Sequence, residues 1–104
     1  MRPQPVVTLA RYHVPDLNAL PVLDLLRQAA AETRAEHGNT YFLSYREHDQ
    51  PNSIVLVEGW RDQEALDRHR RTAHFQDLVL GGIVPLLHSR TVTHLAPIDL
   101  EQRP

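Results

Sequence analysis

Hydrophobic and polar positions along the chain fall into two periods. From Val6 to Val14, VVTLARYHV, β-branched and aromatic residues alternate in part. Val7, Leu9 and Arg11 point to one side and Val6, Thr8, Ala10 and Tyr12 to the other, which predicts a first strand. The chain then turns through PDLN, where Asn18 or Asp16 can cap a helix with Pro21 in its first turn, where a missing N–H costs nothing. Leu20, Leu23, Leu26, Ala30 and Thr33 follow at helical spacing, and Gly38 after His37 is a stop signal. Residues 40–47, TYFLSYRE, return to a period of two, with Tyr41, Leu43 and Tyr45 on one face and Phe42, Ser44 and Arg46 on the other.

HDQPNS is a hairpin-type connection into a third strand, residues 53–61, whose centre, Ile54 to Val57, is apolar on both faces. A sheet with helices on one side and water on the other should alternate, so the second face is expected to be covered. In so short a chain the expected cover is a second copy of itself. Asp62 is placed to cap a short helix, 63–71, and Thr72 a second, 73–87, with Pro85 near its end and a stripe of Phe75, Leu78, Val79, Gly82, Ile83 and Leu86. Gly81 and Gly82 each weaken that helix by about 1 kcal/mol relative to alanine, which is consistent with a local break. His88 to Leu95 alternates Ser89, Thr91, Thr93 and Leu95 against Arg90, Val92 and His94 as a last strand, and the polar tail DLEQRP is expected to fray. The order β-α-β-β-α-β predicts an α+β fold of ferredoxin-like plan with an antiparallel sheet.

At 104 residues the chain is one domain, with a core over about 5–97 and a tail at 98–104, and it lacks the length for a separate cofactor domain. A hydrophobic fraction of 41% and a net charge of −2 exclude a disordered chain, and no basic block exists to hold nucleic acid. No apolar run approaches the roughly 18 residues of a membrane helix, and MRPQPVV lacks the layout of a signal peptide, so a cytoplasmic protein without membrane contact is expected. Without cysteine there is no thiolate nucleophile or ligand. Chemistry is left to histidine, tyrosine, carboxylate and arginine.

The stretch HRRTAHF carries the sharpest candidates. His69 follows Ala65 by four and Leu66 by three, so it shares their inward helical face, where a neutral imidazole is either a general base or a buried histidine bonded to a backbone carbonyl. His74 falls in the first turn after Thr72, where a helix N-terminus keeps imidazole neutral; it is either a substrate contact or a surface residue of the capping region. The two are five apart across a helix break, unlike the four of a metal-binding helix, and the other histidines are scattered, so no metal site is expected. Glu58, in line with Ile54, Leu56 and Trp60, should be paired or have a raised pKa, with Arg11 a candidate partner. Trp60 reads as core packing or a stacking platform. Tyr41 and Tyr45 either offer hydroxyls to a substrate or pack across strands. If His69 faces inward, Arg70 and Arg71 should face solvent.

The run IVLVEGWRDQEALDRHRRTAHFQDLV, with EHGNTYFLSY and VTLARYHV before it, resembles the antibiotic biosynthesis monooxygenase family: an apolar strand ending in Glu-x-Trp, an Asp-x-x-Ala-Leu helix, then His-x-x-Thr-x-His-Phe. The resemblance implies a dimeric α+β barrel, two ferredoxin-like protomers with facing sheets, outer helices and one cavity per protomer. It implies a cofactor-free enzyme that oxidises a phenol, quinol or anthrone-type aromatic with O₂. His69 or His74 would then assist deprotonation, with Trp60, Phe75 and Glu58 also lining the cavity; Arg11, Tyr41 and Tyr45, from their positions on the strands, are the further candidate substrate contacts. The same family includes haem-degrading enzymes and a proton-transfer isomerase, and the alternative reading is an isomerase of a small metabolite or a small-molecule-binding dimer without chemistry. Against haem, Ala10 stands where that branch has asparagine, and Val79 or its neighbours where it has the haem-ligating histidine.

Overall fold

A computed structural model of the chain describes residues 4–101. Strands β1 (Val6–His13), β2 (Asn39–Arg46), β3 (Ser53–Trp60) and β4 (Ser89–Leu95) form one sheet in the order β2-β3-β1-β4. Every pairing in it is antiparallel. Helices α1 (Ala19–Arg34) and α2 (Gln63–Arg70) and a π-helix, Phe75–Ile83, complete the α+β, ferredoxin-like plan, with short 3-10 turns at Asp16–Asn18 and Val84–Leu86. No helix among the described residues is long and apolar enough to cross a membrane. Residues 102–104 of the tail expected to fray lie outside the described residues.

The strand faces follow the period of two. Thr8, Ala10 and Tyr12 of β1 and Ile54, Leu56 and Trp60 of β3 are buried beneath the helices, while Tyr41, Leu43, Tyr45 and Leu95 on the other side stay exposed. Register lines up the inner rows, with Thr8 opposite Glu58 and His94, Ala10 opposite Leu56 and Val92, and Phe42 opposite Glu58. One core cluster joins Tyr12, Val22, Leu26, Leu56 and Ile83 between the sheet, α1 and the π-helix. A smaller cluster of Trp60, Ala65 and Leu66, with Val6 against it, seats α2 on the sheet. Between the two clusters the sheet is left with a gap, and the site lies there.

Three details differ from the sequence expectation. The buried stripe of α1 is Val22, Leu26, Ala29, Ala30 and Thr33, whereas Leu20 is exposed. No side chain caps α1: the 3-10 turn at Asp16–Asn18 makes the entry, and the Asn18 amide instead donates to Leu86 O at 2.9 Å, tying the 3-10 turn that follows the π-helix. The expected second helix is π-helical over Phe75–Ile83, rather than an α-helix broken at the glycines. Its wide turn brings Gly81 and Gly82 so close to the carbonyls of Gln76 and Asp77, five residues back, that a Cβ would lie 3.2 Å from each. At Gly82 a Cβ would also lie 3.2 Å from Leu25 Cδ1, so the missing side chain lets this helix lie against α1.

Gly38 serves a different purpose from the helix stop assigned to it. Helix α1 ends at Arg34, and no glycine among the described residues has positive φ. What glycine supplies here is space, since a Cβ at position 38 would run into Ala65 Cβ of α2. The Arg61 amide donates to Gly38 O at 2.8 Å, fixing the segment between α1 and β2 beside α2. Gly38→Ala is therefore expected to push this segment away from α2 and to cost about 1–3 kcal/mol by overpacking. Urea denaturation of the variant against the parent protein measures that loss.

Candidate active site

Helix α2 begins where the Asp62 carboxylate accepts from the Ala65 amide at 2.8 Å. One turn inward from Ala65 the register turns His69 beneath the helix, where it is 4% exposed. Thr72 both ends this helix and starts the next. Its hydroxyl donates to His69 O at 2.7 Å and accepts from the Phe75 amide at 3.2 Å. This junction brings the His74 and Phe75 rings of HRRTAHF beside the His69 imidazole, whose ring centroid is 4.9 Å from Phe75 and 5.9 Å from His74. Trp60 covers it from the sheet, with ring centroids 4.5 Å apart.

A carboxylate that sequence reasoning did not single out organises the rest. Glu36 sits in the turn between α1 and β2, with its amide donating to Thr33 O at 3.0 Å and its carbonyl accepting from the Asn39 amide at 3.1 Å. Its Oε2 lies 2.6 Å from His69 Nδ1 and 2.8 Å from His74 Nε2. An ionised carboxylate only accepts, so each facing ring nitrogen carries the proton. For a neutral His69 that assignment leaves Nε2 as the lone-pair nitrogen, and Nε2 is the atom turned toward Glu58, 3.9 Å from Oε1.

His69 and Glu58 open into a cavity of about 60 Å³. Thr8, Ala10 and Tyr12 form its floor with Leu56, while Leu26, Val79 and Phe75 close it from the helices. Arg70 and Arg90 add the positive charge. His74 and Trp60 are not part of this wall: His74 acts on it through Glu36, and Trp60 by stacking on His69.

Burial sets the protonation states. It lowers the His69 pKa from its usual value, a trend opposed by the hydrogen bond and charge of Glu36. It pushes the Glu58 carboxyl up to about 7, with Arg90 drawing it back and Glu36 adding to the rise. Tyr12 is pushed up to about 12 by burial, against the pull of Arg90, and stays a neutral phenol.

Glu36, His69 and His74 are also a donor set able to hold a divalent cation, with their nearest ligand atoms all within 4.8 Å of one another. Sequence spacing pointed away from such a cluster because the third donor, Glu36, is remote in the chain. Nitrogen–oxygen separations of 2.6 and 2.8 Å are those of charge-assisted hydrogen bonds. With metal bonds of about 2.0–2.1 Å the carboxylate would have to draw back from both rings. As it stands the cluster is a hydrogen-bonded one.

Beyond the fold, the chain can be placed by comparison. The sequence profile of the family described as antibiotic biosynthesis monooxygenase matches residues 5–79. The chain belongs to this family. Among solved structures, Rv0793 from Mycobacterium tuberculosis superposes with a TM-score of 0.85 at 31% identity, covering 94% of this chain and 99% of that one. PA3566 from Pseudomonas aeruginosa does so with a TM-score of 0.85 at 25% identity, covering 95% and 99%. The Bacillus subtilis protein YcnE, whose name calls it a putative monooxygenase, is 38% identical over 50 residues, 48% of this chain and 53% of its own length. That match spans about half of the curated relative.

For an antibiotic biosynthesis monooxygenase domain, the structure corrects several of the expected contacts. Arg11 is not the partner of Glu58. It lies on the outer face of the sheet, where its Nε donates to Glu47 Oε1 at 2.7 Å, and Ser53 Oγ donates to the same oxygen at 2.6 Å. Tyr41 and Tyr45 are on that outer face as well, away from this cavity, because alternation along β2 gives the inner side to Phe42. Arg70, expected in solvent, lines the cavity and reaches β4, with Nη2 2.7 Å from His94 Nε2. Arg71 is exposed as expected.

Besides Glu36, the sequence reading passed over Tyr12 and Arg90 as wall residues. Their parity put them on the inner face beside Ala10 and Val92, and that signal was available. The raised pKa of Glu58 makes a direct prediction. An unfolded carboxyl near 4.5 that rises to about 7 on folding binds its proton more tightly in the folded state, so its stabilising effect is present below about pH 4.5 and lost as pH rises through 7. The parent protein is expected to lose about 3 kcal/mol across that window relative to Glu58→Gln. Urea titrations of both proteins at pH 4.5 and 8 give the difference.

Proposed function

We propose that this domain is a cofactor-free monooxygenase that oxidises a phenol, quinol or anthrone-type aromatic with O₂. The observation that carries the reading is the held imidazole: His69 has Nδ1 fixed by Glu36, Nε2 turned to the cavity, and an apolar cover of Trp60 and Phe75. A base needs this arrangement, since the carboxylate fixes the tautomer and stabilises the imidazolium that forms. Family membership supports the reaction class, and within the proposed group the size of the cavity favours the single-ring phenols and quinols over the three-ring anthrones. Its volume of about 60 Å³ takes several waters. Pockets for drug-sized ligands run to about 300–1,000 Å³.

The chemistry requires no group beyond the substrate and O₂. His69 Nε2 removes the phenolic proton, and the resulting phenolate gives one electron to O₂. The phenoxyl radical and superoxide combine at a ring carbon, forming the C–O bond. The imidazolium returns its proton to the peroxide, and the hydroperoxide loses water to leave a carbonyl. For a simple phenol, one O₂ is consumed and one quinone and one water are formed. Arg90 and Arg70 on the cavity wall favour the anionic oxygen of the phenolate. A proton-transfer isomerase would draw on the same imidazole but would turn over without O₂.

The working unit in this reading is a homodimer through the outer sheet face. Val55 and Val57 at the centre of that face are half-buried, and Leu43, Tyr45 and Leu95 around them are exposed within one protomer. Sedimentation of Val57→Arg is expected to give a monomer where the parent protein gives a dimer.

The activity test uses metal-free protein, hydroquinone and anthrone, and an oxygen electrode. Oxygen uptake is expected to fall about 100-fold or more in the His69→Ala, His74→Ala double variant. Uptake equal to that of the parent protein would overturn the proposal.

A further inference from the structure

Two proton-handling groups face one another across the cavity, and the reaction so far uses one. Glu58 projects from the inner face of β3, its side chain 13% exposed. Among the described residues no side chain hydrogen-bonds its carboxyl; the nearest ionisable nitrogen is His69 Nε2 at 3.9 Å. That separation is too long for a hydrogen bond and suits an inserted oxygen, which fits at ~2.8 Å from each group. Both groups line the same cavity, so a ligand oxygen entering it meets an acid on one side and a base on the other.

We propose that Glu58 is a second catalytic residue, the proton donor that completes loss of water from a hydroperoxide held between its carboxyl and His69. The proposal rests on the oxygenase reading for the source of the hydroperoxide. The carbon that has taken up O₂ carries one hydrogen and one O–OH group. His69 Nε2 removes that hydrogen as a proton, the C–H electron pair becomes the second bond of C=O, and the O–O bond breaks. The electron pair of that bond leaves on the distal oxygen, which takes the Glu58 proton and departs as water. Carbon is oxidised by two electrons and the peroxide is reduced by two, so no outside reductant is needed. The pair is left as imidazolium and carboxylate, and the water formed between them relays the proton back from His69 Nε2 to Glu58.

Protonation states fit these roles. Burial holds the imidazole below its usual pKa while it raises the carboxyl to about 7, so between those values the base is neutral and the acid protonated. The groups that act on Glu58 come from every element around it. Arg90 on β4 lowers its pKa and Glu36 in the turn after α1 raises it. Tyr12 on β1 couples to it through charge, and His69 and Arg70 on α2 and Phe75 on the π-helix share its cavity. The resulting rate profile has an acidic limb set by His69 and an alkaline limb near pH 7 set by Glu58.

The test supplies the hydroperoxide directly. Anaerobic conversion of 1-phenylethyl hydroperoxide to acetophenone and water is followed from pH 5 to 8 for the parent protein, Glu58→Gln and Glu58→Asp. Glu58→Gln is expected to be about 100-fold slower and to lack the alkaline limb, and Glu58→Asp to keep that limb at reduced rate. In the parent protein, carbon-13 NMR of the labelled glutamate carboxyls is expected to show Glu58 protonated at pH 6. The proposal is overturned if Glu58→Gln matches the parent, if the parent does not convert the hydroperoxide, or if the Glu58 carboxyl is ionised at pH 6. Hydroperoxide conversion without oxygen uptake from any phenol would leave Glu58 in place and remove the oxygenase reading instead.

Discussion

The site depends on one short hydrogen bond, from His69 Nδ1 to Glu36 Oε2 at 2.6 Å, between residues 33 positions apart. Both partners are largely shielded from water, with side chains 6% and 15% exposed, so neither has solvent as an easy alternative. The bond therefore fixes the imidazole plane, its tautomer and the direction of its free nitrogen in one step. It also recruits His74 to the same oxygen, which gives the buried carboxylate a second donor and keeps it from turning away. Everything that brings Glu36 within reach belongs to the fold. The end of α1, the bare backbone of Gly38 against Ala65 and the hydrogen bond from the Arg61 amide all contribute.

Much of the architecture could be read along the chain because it rests on local periods. The alternation in β1 and β3 sorted their side chains into the two faces that the structure shows, and the side chains of Asp62 and Thr72 cap the helix starts where they were expected. The inward register of His69 follows from Ala65 and Leu66 by helical geometry alone. Other features are settled only by contact between distant segments. Leu20 has the right spacing for the buried face of α1, but at the first turn it projects beyond the sheet and Val22 takes the interior. The π-helix depends on two glycines that permit close approach to carbonyls five residues back, and no simple period marks it.

The candidate site divides along the same line. Alternation correctly grouped Tyr41 with Tyr45 and Arg11 with Leu9, but it does not say which of two faces carries a cavity, and the helices chose the other one. Glu36 carries no local signal at all. It stands in a turn among polar neighbours, and its importance comes from a segment that arrives 33 residues later. Arg70 was assigned to solvent on the angle of its Cα, whereas its long side chain bends over the end of the helix toward His94.

Trp60 gives the site an optical property. It is the only tryptophan in the chain, and its indole packs against the His69 ring at a tilt of 37°. A protonated imidazole in contact with indole accepts an electron from the excited state and quenches its emission, while a neutral imidazole does so far less. The indole emission of this protein thus comes from one fluorophore in contact with one titrating ring. A pH titration of that emission follows the charge of His69 without label, substrate or turnover.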